Sequence, residues 1–327
     1  MKRRRSPDDF TGMISTAMER NVRTEGAARE KNRSARRMAL GWLAGYLAVS
    51  GVLLLRHSVI GLTGLHVVLI AATVALARAD DESPRLVRLA GDLWPLVAAP
   101  LLYFELPALI AAAGSSYHDA AIQRFEAALF GGQLSQTVAT LAPWGALSEL
   151  GHAGYLAYYP MIFVPPVLLL LRGDREGLGR TVLALTVVFT VCWAIYVFFP
   201  VEGPRYLWTE RADVPDGPLR RFTVGLVASG SARGTAFPSS HMAVTVAQAV
   251  AAWSLQRHVS VLVWCVALLV GIGAVYGGFH YGTDIVAGGL LGAVLAVITM
   301  KFSRARAFEP NGGLVDSHLG PNVTQRA

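Results

Sequence analysis

Apolar residues in this chain fall in long blocks, each close to the roughly 20 residues that cross a bilayer as a helix. Eight such blocks stand out, at about 38–55, 58–77, 93–113, 153–171, 181–199, 241–256, 259–279 and 284–300. The predicted fold is therefore all-α, a polytopic membrane helical bundle of about eight transmembrane helices. Only Arg56 and His57 separate the first two blocks, which predicts a tight helical hairpin. The stretch 115–150 is different. There Ile122, Phe125, Leu129 and Phe130 recur at near-helical spacing among Asp119, Arg124 and Glu126, the pattern of an interfacial amphipathic helix rather than a ninth span. Pro165-Pro166 predicts a kink in the fourth span. With no internal repeat, the chain divides into a tail (1–37), an N-terminal hairpin (38–92), a main membrane domain (93–302) and a C-terminal tail (303–327).

Composition agrees with this division. Hydrophobic residues make up 53% of the 327 positions and charged residues 16%, with a mean hydropathy of +0.44. Soluble domains average roughly 45–50% and about 25%, so a soluble single-core fold is excluded. The net charge of +7 is concentrated: residues 1–37 hold eleven basic and five acidic side chains. That segment lacks apolar periodicity and reads as a disordered or partly helical tail resting on anionic headgroups, and no nucleic-acid partner is expected. Cys192 and Cys265 both fall inside apolar blocks, which fits small apolar fillers and neither a disulfide framework nor a zinc site.

Charge also orients the bundle. With eight spans and the N-terminus inside, 22 of the 29 Lys and Arg lie on the inner side. Of the seven outside, Arg205, Arg211, Arg220, Arg221 and Arg233 share the loop between spans five and six. A translocated loop that keeps five arginines points to an anionic ligand, although Glu202, Glu210, Asp213 and Asp216 partly neutralise it.

That loop opens with Pro200-Val201-Glu202-Gly203-Pro204-Arg205-Tyr206 and closes with Phe237-Pro238-Ser239-Ser240-His241 at the head of span six. Span seven ends at Gly278-Phe279-His280, followed by Tyr281-Gly282-Thr283-Asp284. All three motifs fall on the outer face. Ser239 stands where an N-cap belongs, and the amides of the next turn form a ready anion site with the helix dipole. Arg205 offers a planar fork to two phosphoryl oxygens. His280 and Asp284 are spaced i, i+4, so the carboxylate can take the proton of one ring nitrogen and leave the other free as a nucleophile. His241, from a different helix, can give a proton to a leaving oxygen.

In this order, the motifs resemble those of the type 2 phosphatidic acid phosphatase superfamily: Lys-x6-Arg-Pro, Pro-Ser-Gly-His and Ser-Arg-x5-His-x3-Asp. The resemblance covers roughly residues 180–300 and implies a six-helix catalytic core within 93–302. The departures are specific. Phe198 stands in place of the motif lysine, Tyr206 of the proline, Ser240 of the glycine and Ala274 of the third-motif arginine. A Pro-Arg first motif, Phe-Pro-Ser-x-His and His-Tyr-x-x-Asp are similar to the inositolphosphotransferase branch, as is Gly131-Gly132 after Phe130. The resemblance implies His280 as nucleophile, His241 as acid, Asp284 as orienter and Arg205 as phosphate ligand. Ser239, Ser240 and Tyr281 join them as substrate-binding candidates, with Arg233 compensating for the missing cations.

The expected activity is metal-independent phosphoryl transfer without a cofactor, on a phospholipid or other lipid phosphate. The expected place is the extracytoplasmic face of the cell membrane. Water as acceptor makes the enzyme a phosphatase of phosphatidic acid or polyprenyl phosphate type monoesters; an alcohol makes it a headgroup transferase, which the two absent cations favour. A carrier would place polar groups along the membrane interior, where candidates are few: Glu105, His66, Thr186 and Thr190. A metal on His241, His280 and Asp284 would face repulsion from the neighbouring arginine. Tyr155, Tyr158, Tyr159, Tyr206 and Trp208 read as an interfacial aromatic belt, and His152 as an interfacial histidine.

Overall fold

The computed structural model describes residues 7–208, 214–253 and 256–306; Glu210, Arg211, Asp213, the first six residues of the predicted N-terminal tail and most of the C-terminal one lie outside the described residues. Among the described residues there are fourteen helices: α1 Pro7–Arg56, α2 Ile60–Ala77, α3 Arg85–Tyr103, α4 Leu106–Ala113, α5 Asp119–Phe130, α6 Leu134–Leu141 and α7 Gly145–Leu156. They continue as α8 Tyr158–Leu171, α9 Arg175–Phe198, α10 Pro204–Leu207, α11 Pro218–Gly230, α12 Ser240–Trp253, α13 Arg257–Tyr276 and α14 Gly282–Arg306. Among the described residues no strand forms, and one isolated bridge joins Val201 to Thr235.

Among the described residues six helices are long and apolar enough to cross a bilayer, seven if the pair α7–α8, bent by 44°, is a single span, against the eight predicted; the sixth predicted block forms α12, only 14 residues long. The chain is thus a multi-pass helical membrane protein. The centre of the bundle is α9, with 78% of its apolar window buried, whereas α2 with 17% lies at the periphery. Helix α9 packs on α1, α3, α4, α8, α12 and α14. Large apolar side chains such as Val49, Val67, Leu262 and Leu290 point outward, as a lipid solvent allows.

Several boundaries differ from those read along the sequence. The N-terminal segment is helical from Pro7 and runs unbroken into the first span. After a proline at the first helical position the stretch holds no further proline and is rich in good helix formers. The third span begins earlier, at Arg85, and breaks at Phe104–Glu105 before α4. In the fourth span the break falls at Ala157 and not at Pro165-Pro166, which sit inside α8. Pro160, in the first turn of α8, has no amide to bond to Leu156 and its ring crowds that carbonyl.

Without a hydrophobic force between helices in lipid, close approach needs small residues. On α14, Asp284, Gly288 and Gly292 recur every four residues and so share one face. A Cβ at Gly288 would lie 2.3 Å from the Ser239 carbonyl oxygen, and one at Gly292 2.1 Å from that of Ala243. The backbones of α12 and α14 therefore touch. This contact carries the Asp284 carbonyl to within 3.0 Å of the Ser239 amide, which donates to it.

Candidate active site

The second and third motifs meet where α12 and α14 touch. Ser239 caps α12, its Oγ accepting from the Met242 amide at 3.4 Å. The anion nest expected there is largely occupied by the protein itself. The Ser239 amide goes to Asp284 and the Ser240 amide to the Tyr196 hydroxyl at 3.1 Å, in addition to the capped Met242. Ser239 is fully buried, whereas Ser240 reaches the wall of the adjoining cleft.

His280, 4% exposed, places Nδ1 2.9 Å from the Ala236 carbonyl and 3.3 Å from Asp284 Oδ2. Both neighbours only accept, so Nδ1 carries the proton and Nε2 keeps its lone pair. The same Oδ2 accepts from the Tyr281 amide at 2.8 Å, which aims the carboxylate. The ring centroid of His241 lies 5.5 Å from that of His280, about the breadth of a phosphoryl group. His241 is held by tyrosines: Tyr155 stacks on it at 4.8 Å and Tyr158 packs at 4.1 Å. These two are fully buried around an imidazole, not members of an interfacial belt as expected. Gly273 makes room for Tyr155, since a Cβ there would lie 2.7 Å from the Tyr155 amide nitrogen.

The first motif arrives through backbone pairing. The Val201 amide donates to the Gly234 carbonyl, and the Ala236 amide to that of Val201. Gly203 turns the chain at φ 91°, where a Cβ would meet Ala236 at 2.9 Å. Arg205 thereby enters the cleft wall with His241, His280 and Tyr103. Its guanidinium donates to the Val227 carbonyl at 3.0 Å and to the Tyr206 hydroxyl, and packs 4.4 Å from the Tyr206 ring. The cleft holds about 20 Å³, room for a water but not a phosphate.

Other predicted residues take different places. Arg233 sits on the rim, paired with Glu202 and packed near Tyr117 and Tyr206. Arg220 and Arg221 pair with Asp216, so among the described loop arginines Arg205 alone lines the cleft. Tyr281 is fully buried and turned away from the cleft. Its hydroxyl donates to Asp119 Oδ1 at 3.1 Å and accepts from Gln123, a structural bond instead of a substrate contact, and burial, with the Asp119 carboxylate beside it, pushes its phenol upward. His152 is buried edge-on to Phe279. Phe198 points outward and Ala274 is buried.

Two carboxylates were assigned no role by the sequence pattern. Asp119 accepts from the Glu202 and Gly203 amides at 2.9 and 3.0 Å, fastening the first motif. Glu126, fully buried, accepts from the Gly282 and Thr283 amides at 2.9 and 2.7 Å, capping α14 two and three residues after His280. Their spacing held the signal: Asp119, Ile122 and Glu126 at i, i+3, i+7 share one face, while Phe125, Leu129 and Phe130 lie outward. The polar face of α5 thus looks into the protein. Among the described residues no three His, Cys, Asp or Glu side chains cluster as metal ligands.

A family model described as the PAP2 superfamily matches residues 120–299, from α5 into α14, and takes in Arg205, His241, His280 and Asp284. Comparison with curated proteins and with solved structures returned no match.

Proposed function

Because the chain belongs to the PAP2 superfamily, whose members are phosphatases and phosphotransferases, we propose that it moves a phosphoryl group from a lipid headgroup to an acceptor through phosphohistidine. The observation that carries this reading is the pair of imidazoles 5.5 Å apart, one with its proton committed to Ala236 and Asp284. In the first step His280 Nε2 attacks phosphorus in line. An N–P bond forms, the P–O bond to the donor breaks, and the leaving oxygen takes a proton from His241. In the second step an acceptor hydroxyl attacks the phosphohistidine and returns its proton to His241, the N–P bond breaking as the new P–O bond forms. Arg205 stabilises charge on the equatorial oxygens once it turns from Val227. No metal or cofactor enters this scheme.

The reading extends to a headgroup phosphotransferase like the inositolphosphotransferase branch, acting at the extracytoplasmic face of the cell membrane. Phe198 and Ala274 support a diester donor, because a monoester dianion would call for the two cations those positions lack. Positive charge on the opposite loops supports the orientation. The test is product analysis with purified protein, labelled lipid monoesters and diesters, and candidate alcohols. Product that requires the alcohol is expected. Release of inorganic phosphate from monoesters at the same rate with or without alcohol would make the enzyme a phosphatase.

A further inference from the structure

At the far end of α9 from the cleft, about 36 Å away at 1.5 Å per residue, lies a cavity of about 590 Å³ between α1, the head of α3 and the turn into α9. It is far larger than the cleft and of a size that takes small ligands. Five arginines line it against four carboxylates. Asp92, 3% exposed, holds Arg175 at 3.0 Å and Arg36 at 3.7 Å; Asp81 holds Arg33. Arg85 and Arg88 make no ion pair among the described residues.

Residues that line the cavity carry polar atoms without a hydrogen-bond partner. Arg36 is 4% exposed, yet its Nε has no hydrogen-bond partner, and neither has Arg33 Nε. These are donors, and burial without a partner is costly for them. Asn32 Oδ1 and Asp92 Oδ1 are likewise buried without a hydrogen-bond partner, the latter 3.7 Å from the Arg36 guanidinium, and they accept. A ligand that satisfies both sets carries anionic oxygens for the guanidinium groups and hydroxyl donors for the two acceptors. We infer that this cavity is a second binding site, separate from the cleft, for a hydroxyl-bearing phosphate ester. Such an ester arrives as a soluble polyol phosphate or as the headgroup of a lipid at that membrane boundary.

Binding is measured on the full chain carrying Arg205→Ala and His280→Ala, which weakens any contribution from the cleft. Glycerol 3-phosphate and inorganic phosphate are titrated calorimetrically, and thermal unfolding is followed in phosphatidylcholine nanodiscs with and without phosphatidylglycerol. The comparison adds Arg85→Gln and Arg88→Gln; Arg85 is exposed, Arg88 half-buried with its guanidinium on the Asp81 carbonyl, and neither pairs with Asp92, so the Asp92 pairs stay intact. Glycerol 3-phosphate binding that weakens at least tenfold in this variant establishes the site with a soluble ligand. A phosphatidylglycerol stabilisation lost in the variant establishes it with a lipid. No response to any probe, responses unchanged by the two substitutions, or inorganic phosphate binding as tightly as the ester would each overturn it.

Discussion

Asp284→Asn separates two ways of holding the nucleophile. The Nδ1 proton of His280 has two acceptors, and the neutral Ala236 carbonyl is the nearer, 2.9 against 3.3 Å. In a triad where the carboxylate alone fixes the tautomer, its amide variant loses about 10⁴ in rate. Here the carbonyl keeps the tautomer, so what Asn removes is the charge that stabilises a cationic ring. Hydrogen bonds to charged groups contribute about 1.5–3 kcal/mol, so kcat should fall about ten- to two-hundred-fold. The Tyr281 amide, which donates to the same oxygen at 2.8 Å, still finds an acceptor in the asparagine, so the loop should hold its shape. The assay is single-turnover phosphoryl transfer by purified protein, with thermal unfolding to verify the fold. A loss as complete as that of a protein without the imidazole would show that the Ala236 carbonyl does not hold the ring. A loss under threefold would remove Asp284 from the chemistry.

His280→Ala should eliminate turnover and acid-labile phosphoenzyme while the variant elutes as folded protein; retained activity would move the nucleophile elsewhere. Arg205→Lys should be nearly as damaging as Arg205→Ala, because an ammonium cannot reproduce the fork, and near wild-type kcat/KM for the lysine variant would contradict that. Vanadate should inhibit and a chelator should not; inhibition by the chelator alone would favour a metal. Gly292→Leu should lower the melting temperature and activity together, since the Ala243 carbonyl lies 2.1 Å from the nearest added carbon, and overpacking costs about 1–3 kcal/mol. An unchanged melting temperature would mean that α12 and α14 are not in backbone contact.

Hydropathy and charge add up locally along a chain. For that reason the helical class, most of the spans and the shared end of Arg205, His241, His280 and Asp284 were legible before any fold was known. The Ser239 cap was legible for the same reason, since its partner lies three residues away. What a side chain faces is not local. Tyr281 carries the look of a site residue and binds Asp119 instead; Tyr155 and Tyr158 look like interface markers and enclose His241. Asp119 and Glu126 sit on an amphipathic helix whose polar face the sequence directs to water, but the packed bundle turns it onto the amides of two motifs. Only the tertiary structure decided these, because each buried polar group must find its partner across the fold, and the helices approach closely enough only where glycines allow it.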